Sequence, residues 1–245
     1  MKSNNSSSVG KHISKQFDDD LEAVRSDVLT MGGIVEEQIQ RALQALLDLD
    51  SELGENVVRD DYRINEMEVR IDEECTHIIA LRQPTASDLR MIIAVIKTIT
   101  DLERIGDEAE KIGRMATRLA KKTSPASMKR YASVRQLGRH VGQTVHDTLD
   151  AFARLDVDAA VATAREDEII DDEYAACMRS LVTYMMEDPR LISEVMDVIW
   201  CARALERMGD HAKNICEYII FLVKGKDVRH TSFEHMELQA QSEVC

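Results

Sequence analysis

The stretch Asp101-Leu102-Glu103-Arg104-Ile105-Gly106-Asp107-Glu108-Ala109-Glu110-Lys111-Ile112 occurs a second time as Ala204-Leu205-Glu206-Arg207-Met208-Gly209-Asp210-His211-Ala212-Lys213-Asn214-Ile215. Seven of the twelve positions are identical at an offset of 103. Upstream, Val95-Ile96 falls on Val198-Ile199 at the same offset. Further back an offset of 106 places Leu49-Asp50 on Leu155-Asp156 and Arg59-Asp60-Asp61 on Arg165-Glu166-Asp167. A three-residue difference between the turns at Pro84 and Pro189 reconciles the two offsets. The breaks repeat along with the residues, so the chain is one unit used twice.

The breaks themselves are few. The three prolines, Pro84, Pro125 and Pro189, sit in polar or small-residue settings where they end helices. Weaker interruptions lie at Leu53-Gly54-Glu55 and Leu155-Asp156-Val157-Asp158. Between them apolar residues recur at helical spacing. That pattern predicts six helices, at 15–50, 56–82, 87–121, 127–154, 158–187 and 190–224. Ser87-Asp88 and Ser127 provide start signals for the third and fourth. The predicted organisation is a disordered segment over 1–14, a three-helix bundle over 15–122, a second over 126–225, and a loose polar tail over 226–245. The fold class is all-α, with two tandem, similar three-helix bundles.

Composition agrees. Of 245 residues, 44% are hydrophobic and 31% charged, while aromatics are 4% and only 10 Gly and 3 Pro occur. Strand-rich sandwiches and barrels need more turns and more aromatic residues. Twelve methionines suit gap-filling in a helical core. Lys and Arg number 31 against 45 Asp and Glu, a net charge of −14. Such a chain lacks the footprint of a nucleic-acid binder or of a protein held on anionic lipid by overall charge. The longest apolar runs, 91–96 and 218–223, are far short of the roughly 20 residues that cross a bilayer. The Ser/Asn-rich start has no apolar h-region of a secretory signal. Five cysteines without a CxxC pair read as free thiols of a cytoplasmic protein.

Within the repeat, Glu103 and Asp107, and likewise Glu206 and Asp210, stand four residues apart on one helix face. Like charges at that spacing repel by a few tenths of a kcal/mol. A sequence that places the pair twice in register has something to offset the cost: an Arg neighbour, water, or a metal ion accepting carboxylate oxygens. A solvated ridge is the other reading of each pair. Gly106 and Gly209 repeat inside the motif, where a mid-helix Gly costs up to about 1 kcal/mol against Ala. Close approach by a neighbouring helix explains them more simply than a ligand does.

Other candidates are weaker. Glu74-Cys75-Thr76-His77 is a single E-x-x-H where a di-iron bundle needs two. His146 is a lone helical histidine, and His211, a possible extra ligand, has Glu108 as its counterpart. Arg104 and Arg207 repeat with the motif, either to pair with its carboxylates or to serve partners. No phosphate-binding Gly-rich loop, nucleophile elbow or H-E-x-x-H occurs, so no enzyme site is expected.

Twin L-E-R-[IM]-G-D-x-A helices in tandem three-helix units resemble the PhoU family, and the closing segment Lys213–His230 is especially similar to its proteobacterial members. The resemblance covers roughly residues 15–230. It implies two three-helix bundles side by side, often in a homodimer. It also implies an E(D)-x-x-x-D metal motif, here Glu103/Asp107 and Glu206/Asp210, binding iron, zinc or other divalent metal ions. The implied role is negative regulation of the phosphate-starvation response and of phosphate uptake. The partners would be the ATPase subunit of the phosphate ABC transporter and the sensor histidine kinase of the phosphate two-component system. The implied place is the cytoplasm, peripheral to the inner membrane through those partners. A metal-binding helical scaffold or dimerisation protein without a phosphate-signalling role is the alternative.

Overall fold

The computed structural model describes residues 7–84, 86–229 and 231–241. Helix α1 (Ser7–Asp48) begins ahead of the expected start at 15, and the first six residues of the expected disordered segment lie outside the described part. It is followed by α2 (Ser51–Asp60), α3 (Tyr62–Arg82) and α4 (Ala86–Ala120). A short connecting helix α5 (Pro125–Met128) and one 3₁₀ turn lead into α6 (Ala132–Arg154). Then come α7 (Val157–Glu187), α8 (Ile192–Lys224) and a terminal α9 (Phe233–Gln241). The described residues contain no strand.

Two similar bundles result, one of α1, α2–α3 and α4, the other of α6, α7 and α8. They join chiefly where α4 and α8 lie antiparallel along one another, with α1 against α6 as the second contact. Apolar residues at helical spacing, such as Val28, Met31, Val35, Ile39, Ala42 and Leu46 of α1, feed one continuous core.

The repeat extends to the turns. Leu49 and Leu155 both adopt left-handed backbone, at φ 54° and 52°. The aspartate after each then caps the next helix: Asp50 accepts from the Leu53 N–H at 2.9 Å, and Asp156 from the Ala159 N–H at 3.0 Å. The first boundary therefore falls at Asp50, not at Leu53-Gly54-Glu55. Gly54 is inside α2, where a Cβ would meet the Gly113 carbonyl oxygen of α4 at 2.8 Å. Its missing side chain is a helix crossing, not a break.

Two further expectations are corrected. The second predicted helix is interrupted at Asp61, whereas its counterpart α7 runs unbroken through Asp167. The tail is not loose throughout: Phe233, Met236 and Ala240 carry the apolar spacing of a short helix, and α9 lies on α7 with Met236 and Ala240 buried. Arg165 reaches it by an ion pair to Glu237 and lies 5.1 Å from the Phe233 ring centroid. Cys75, Cys177, Cys201 and Cys216 are free and buried, and burial pushes the Cys75 and Cys216 thiols up to about 12. Cys245 lies outside the described residues. Among the described residues no helix is long and apolar enough to cross a membrane.

Candidate functional site

Each motif carboxylate pair meets further acids from the neighbouring helix of its own bundle. Beside Glu103 and Asp107 on α4 stand Asp61, at the α2–α3 junction, and Glu68 of α3. Beside Glu206 and Asp210 on α8 stand Asp167 and Asp171 of α7. The glycines explain how the helices come close enough. A Cβ at Gly106 would meet Ile64 Cδ1 at 2.8 Å, and one at Gly209 would meet Ile170 Cδ1 at 3.2 Å. Ile64 and Ile170 are repeat equivalents, each three residues beyond Asp61 or Asp167. Seating each isoleucine on its glycine sets the adjacent aspartate against the motif. Gly106 and Gly209 are thus explained by helix packing.

Electrostatically both clusters are short of positive charge. Burial, then the Asp107 and Glu68 charges, push the Glu103 carboxyl up. Burial likewise raises Asp61, opposed by the hydrogen bond from Gln38 Nε2 at 2.8 Å and reinforced by Asp107. In the second cluster burial raises Glu206 and Asp210, with neighbouring acids adding to it. Arg203 Nη1 holds one Glu206 oxygen at 2.5 Å, and Lys213 Nζ holds Asp167 at 2.6 Å. The other Glu206 oxygen is buried with no hydrogen-bond partner. These are hard oxygen donors of the kind that bind divalent cations. Among the described residues, however, no three His, Cys, Asp or Glu side chains converge as a formed metal site.

The structure therefore unites the four predicted carboxylates, in two separate pairs, with Asp61, Glu68, Asp167 and Asp171, which sequence reading missed. The signal was present: Asp61 and Asp167 coincide at the 106 offset, and Asp167-x-x-x-Asp171 itself has the four-residue spacing. Asn65 stands where Asp171 does in the second copy, and donates to Asp61 at 3.3 Å.

The other candidates lie elsewhere. His211 is buried in the α4–α8 seam, where its Nδ1 pairs with Asp101 Oδ1 at 2.7 Å. Asp101 also accepts from Asn214 Nδ2 at 3.3 Å and the Tyr218 hydroxyl at 2.8 Å. Arg104 and Arg207 make their ion pairs in the same seam, Arg104 with Asp101 at 3.7 Å and Arg207 with Glu108 at 3.1 Å. His146 pairs with Glu36 of α1 at 2.7 Å. Glu74 and His77 line a cavity of about 740 Å³ between α1 and α3, which neither motif pair lines.

The PhoU domain matches this chain twice, over residues 28–116 and 134–219. The chain belongs to the PhoU family. Similar chains include a phosphate-specific transport system accessory protein PhoU homolog of Pseudomonas putida, 52% identical over 97% of this chain and 92% of that one. The phosphate-specific transport system accessory protein PhoU of Escherichia coli strain K12 is 49% identical over 94% of each. The crystal structure of PhoU from Pseudomonas aeruginosa superposes with a TM-score of 0.79 at 50% identity, covering 86% of this chain and all of that one. The phosphate transport system regulatory protein PhoU from Streptococcus pneumoniae gives 0.79 at 30% identity, covering 86% and 99%. Membership of the PhoU family sets the chain among accessory and regulatory proteins of phosphate transport, as the resemblance of the doubled motif implied.

Proposed function

We propose that this chain is a negative regulator of the phosphate-starvation response and of phosphate uptake. In this reading it is an adaptor between the ATPase subunit of the phosphate ABC transporter and the sensor histidine kinase. It works in the cytoplasm, is recruited to the inner membrane by these partners, and forms a homodimer. The observation that carries the mechanism is the pair of carboxylate clusters, each shared between two helices and each holding acids whose charge is opposed by burial.

Divalent metal ions, iron or zinc among them, fit the all-oxygen donor set, and Glu103, Asp107, Glu206 and Asp210 would hold them. When bound, such an ion supplies positive charge. The same service can come from a basic side chain of a partner. This chain's own residues do the rest. Asp61 and Glu68 belong to α3 and its entry, Asp167 and Asp171 to α7, while the motif pairs belong to α4 and α8. Neutralising a cluster removes repulsion between two packed helices, so occupancy biases the surface each bundle presents. That coupling is how the clusters select a partner.

The test is alanine at Glu103, Asp107, Glu206 and Asp210 together, in the full chain. Expected results are loss of the metal found in protein purified without chelator and derepression of a phosphate-starvation reporter. Unchanged metal content with unchanged reporter output removes the proposal.

A further inference from the structure

Helix α4 carries Arg90, Lys97, Arg104, Lys111 and Arg118 at a strict interval of seven residues. Seven residues fall about 20° short of two full turns, so the five cations form a slowly winding row with a rise of about 10 Å per step. The row borders the seam with α8, and Arg207 faces it from that helix, bound to Glu108. Among the described residues Asp101, Glu108 and Asp197 pair with Arg104, Lys111 and Arg118, all three acids at the floor of the seam. Arg90 and Lys97 are half-buried, and Lys97 Nζ lies over the Tyr218 and Phe221 rings at 5.4 and 5.5 Å. The side chains of Asp101, Glu108 and Asp197 are 2%, 4% and 6% exposed, whereas those of Arg104, Lys111 and Arg118 are 54%, 49% and 58% exposed. Negative charge is thus buried and positive charge presented. In a chain of net charge −14 this is a positive strip.

The floor carboxylates also hold the strip in place. Asp101 tethers Arg104, Glu108 tethers Lys111 and Arg207, and Asp197 tethers Arg118 and Lys122. A guanidinium with one edge so held keeps further N–H donors for an incoming acceptor. Trp200 lies seven residues before Arg207, on the same face of α8, and is 60% exposed.

Helix geometry sets what flanks the strip. At about 100° per residue, Glu103 and Asp107 lie roughly 60–100° from Arg104 on the side away from the seam, and Glu206 and Asp210 lie likewise beside Arg207. The positive row therefore runs between two acidic clusters. A sheet of anionic headgroups is repelled on both sides of it, and so is a uniform polyanion wider than the row. A helix with an acidic stripe and basic flanks, its acids spaced by heptads, matches row, flanks and the exposed indole together.

We propose that the α4–α8 seam is a docking surface for an acidic helical segment of a partner protein. The proposal rests on the adaptor reading above. It is tested with purified full-length chain against the ATPase subunit and against the detergent-solubilised full-length sensor kinase, at low and high salt. The ladder variant combines Lys97→Gln, Arg104→Gln and Lys111→Gln. Asp101 then keeps His211, Asn214 and Tyr218, and Glu108 keeps Arg207, while the Lys97 contacts over the Tyr218 and Phe221 rings are lost, so a thermal melt verifies that the fold is retained. The control combines Lys129→Gln, Arg135→Gln and Arg139→Gln, which are exposed and off the seam.

The ladder variant is expected to bind at least one partner about tenfold or more weakly and to lose most of the salt dependence, while the control binds as the unaltered chain does. A photo-crosslinker at position 200 is expected to capture an Asp/Glu-rich helical peptide of that partner. Equal binding by the ladder variant, or a captured peptide that is not acidic, overturns the docking surface and leaves the adaptor reading standing. Failure of the unaltered chain to bind either partner overturns both. Binding of the unaltered chain, but not the ladder variant, to phosphatidylcholine vesicles with about one third phosphatidylglycerol overturns it in favour of a membrane.

Discussion

Asp101 offers a quantitative test of how the two bundles are joined. It is 1% exposed, and its carboxylate accepts from three side chains of the other bundle, His211, Asn214 and Tyr218. Hydrogen bonds to a charged group contribute about 1.5–3 kcal/mol each, not additively, and breaking a buried charged network by removing one partner costs about 3–5 kcal/mol. Asp101→Ala strips the acceptor from all three donors at once and leaves His211 buried, and Asn214 and Tyr218 half-buried, in the seam. The expected loss is therefore about 3–5 kcal/mol, read as a lower midpoint in urea denaturation followed by circular dichroism. Tyr218→Phe removes one donor only, and its expected loss is about 1.5–3 kcal/mol. Combined in one chain, the two substitutions should cost little more than Asp101→Ala alone, because the hydroxyl's acceptor is already gone. A loss under about 1 kcal/mol for Asp101→Ala would show that apolar packing alone holds the seam, and would refute the reasoning.

Four other outcomes are expected. Gly54→Ala presses a Cβ on the Gly113 backbone oxygen at 2.8 Å and should destabilise by about 1–3 kcal/mol. Gly209→Ala meets only the Ile170 side chain at 3.2 Å, gains helix propensity, and should stay within about 1 kcal/mol of the unaltered chain by thermal melting. Burial raises the Glu217 carboxyl from 4.5 to about 7. Because the folded state holds that proton more tightly, stability falls as pH rises from 4.5 to about 7, and the full cost is present above that range. Glu217→Gln should then stabilise at pH 8 by about 2–4 kcal/mol, with the gain vanishing below about 4.5. Met236→Ser removes a buried anchor of α9 and should speed limited proteolysis in the connection over 226–232, without lowering the main melting transition much.

Much of this architecture was legible because the chain states it twice. The register of the L-E-R-[IM]-G-D-x-A motif, and of Leu49-Asp50 with Leu155-Asp156, sufficed for two bundles and for their matching turns. Gly54 misled because a glycine that breaks a helix and a glycine that lets two helices cross look alike without knowledge of Gly113 opposite it. The tail misled because three apolar residues at helical spacing decide nothing until a surface such as α7 is there to receive them. At the site, the motif pairs were evident from their i, i+4 spacing, but Asp61, Glu68, Asp167 and Asp171 come from other helices, and only the seating of Ile64 and Ile170 on the two glycines brings them in. His211 was misplaced for a related reason: one residue along a helix is about 100° of rotation, enough to turn it from the carboxylate face into the seam.

The central claim is regulatory, and it is tested most directly in cells. The gene for this chain is deleted in its host and alkaline phosphatase is assayed in high phosphate. The account predicts constitutive activity, restored to repression by the unaltered chain and not by the chain with alanine at Glu103, Asp107, Glu206 and Asp210. Normal repression in the deletion strain would contradict it.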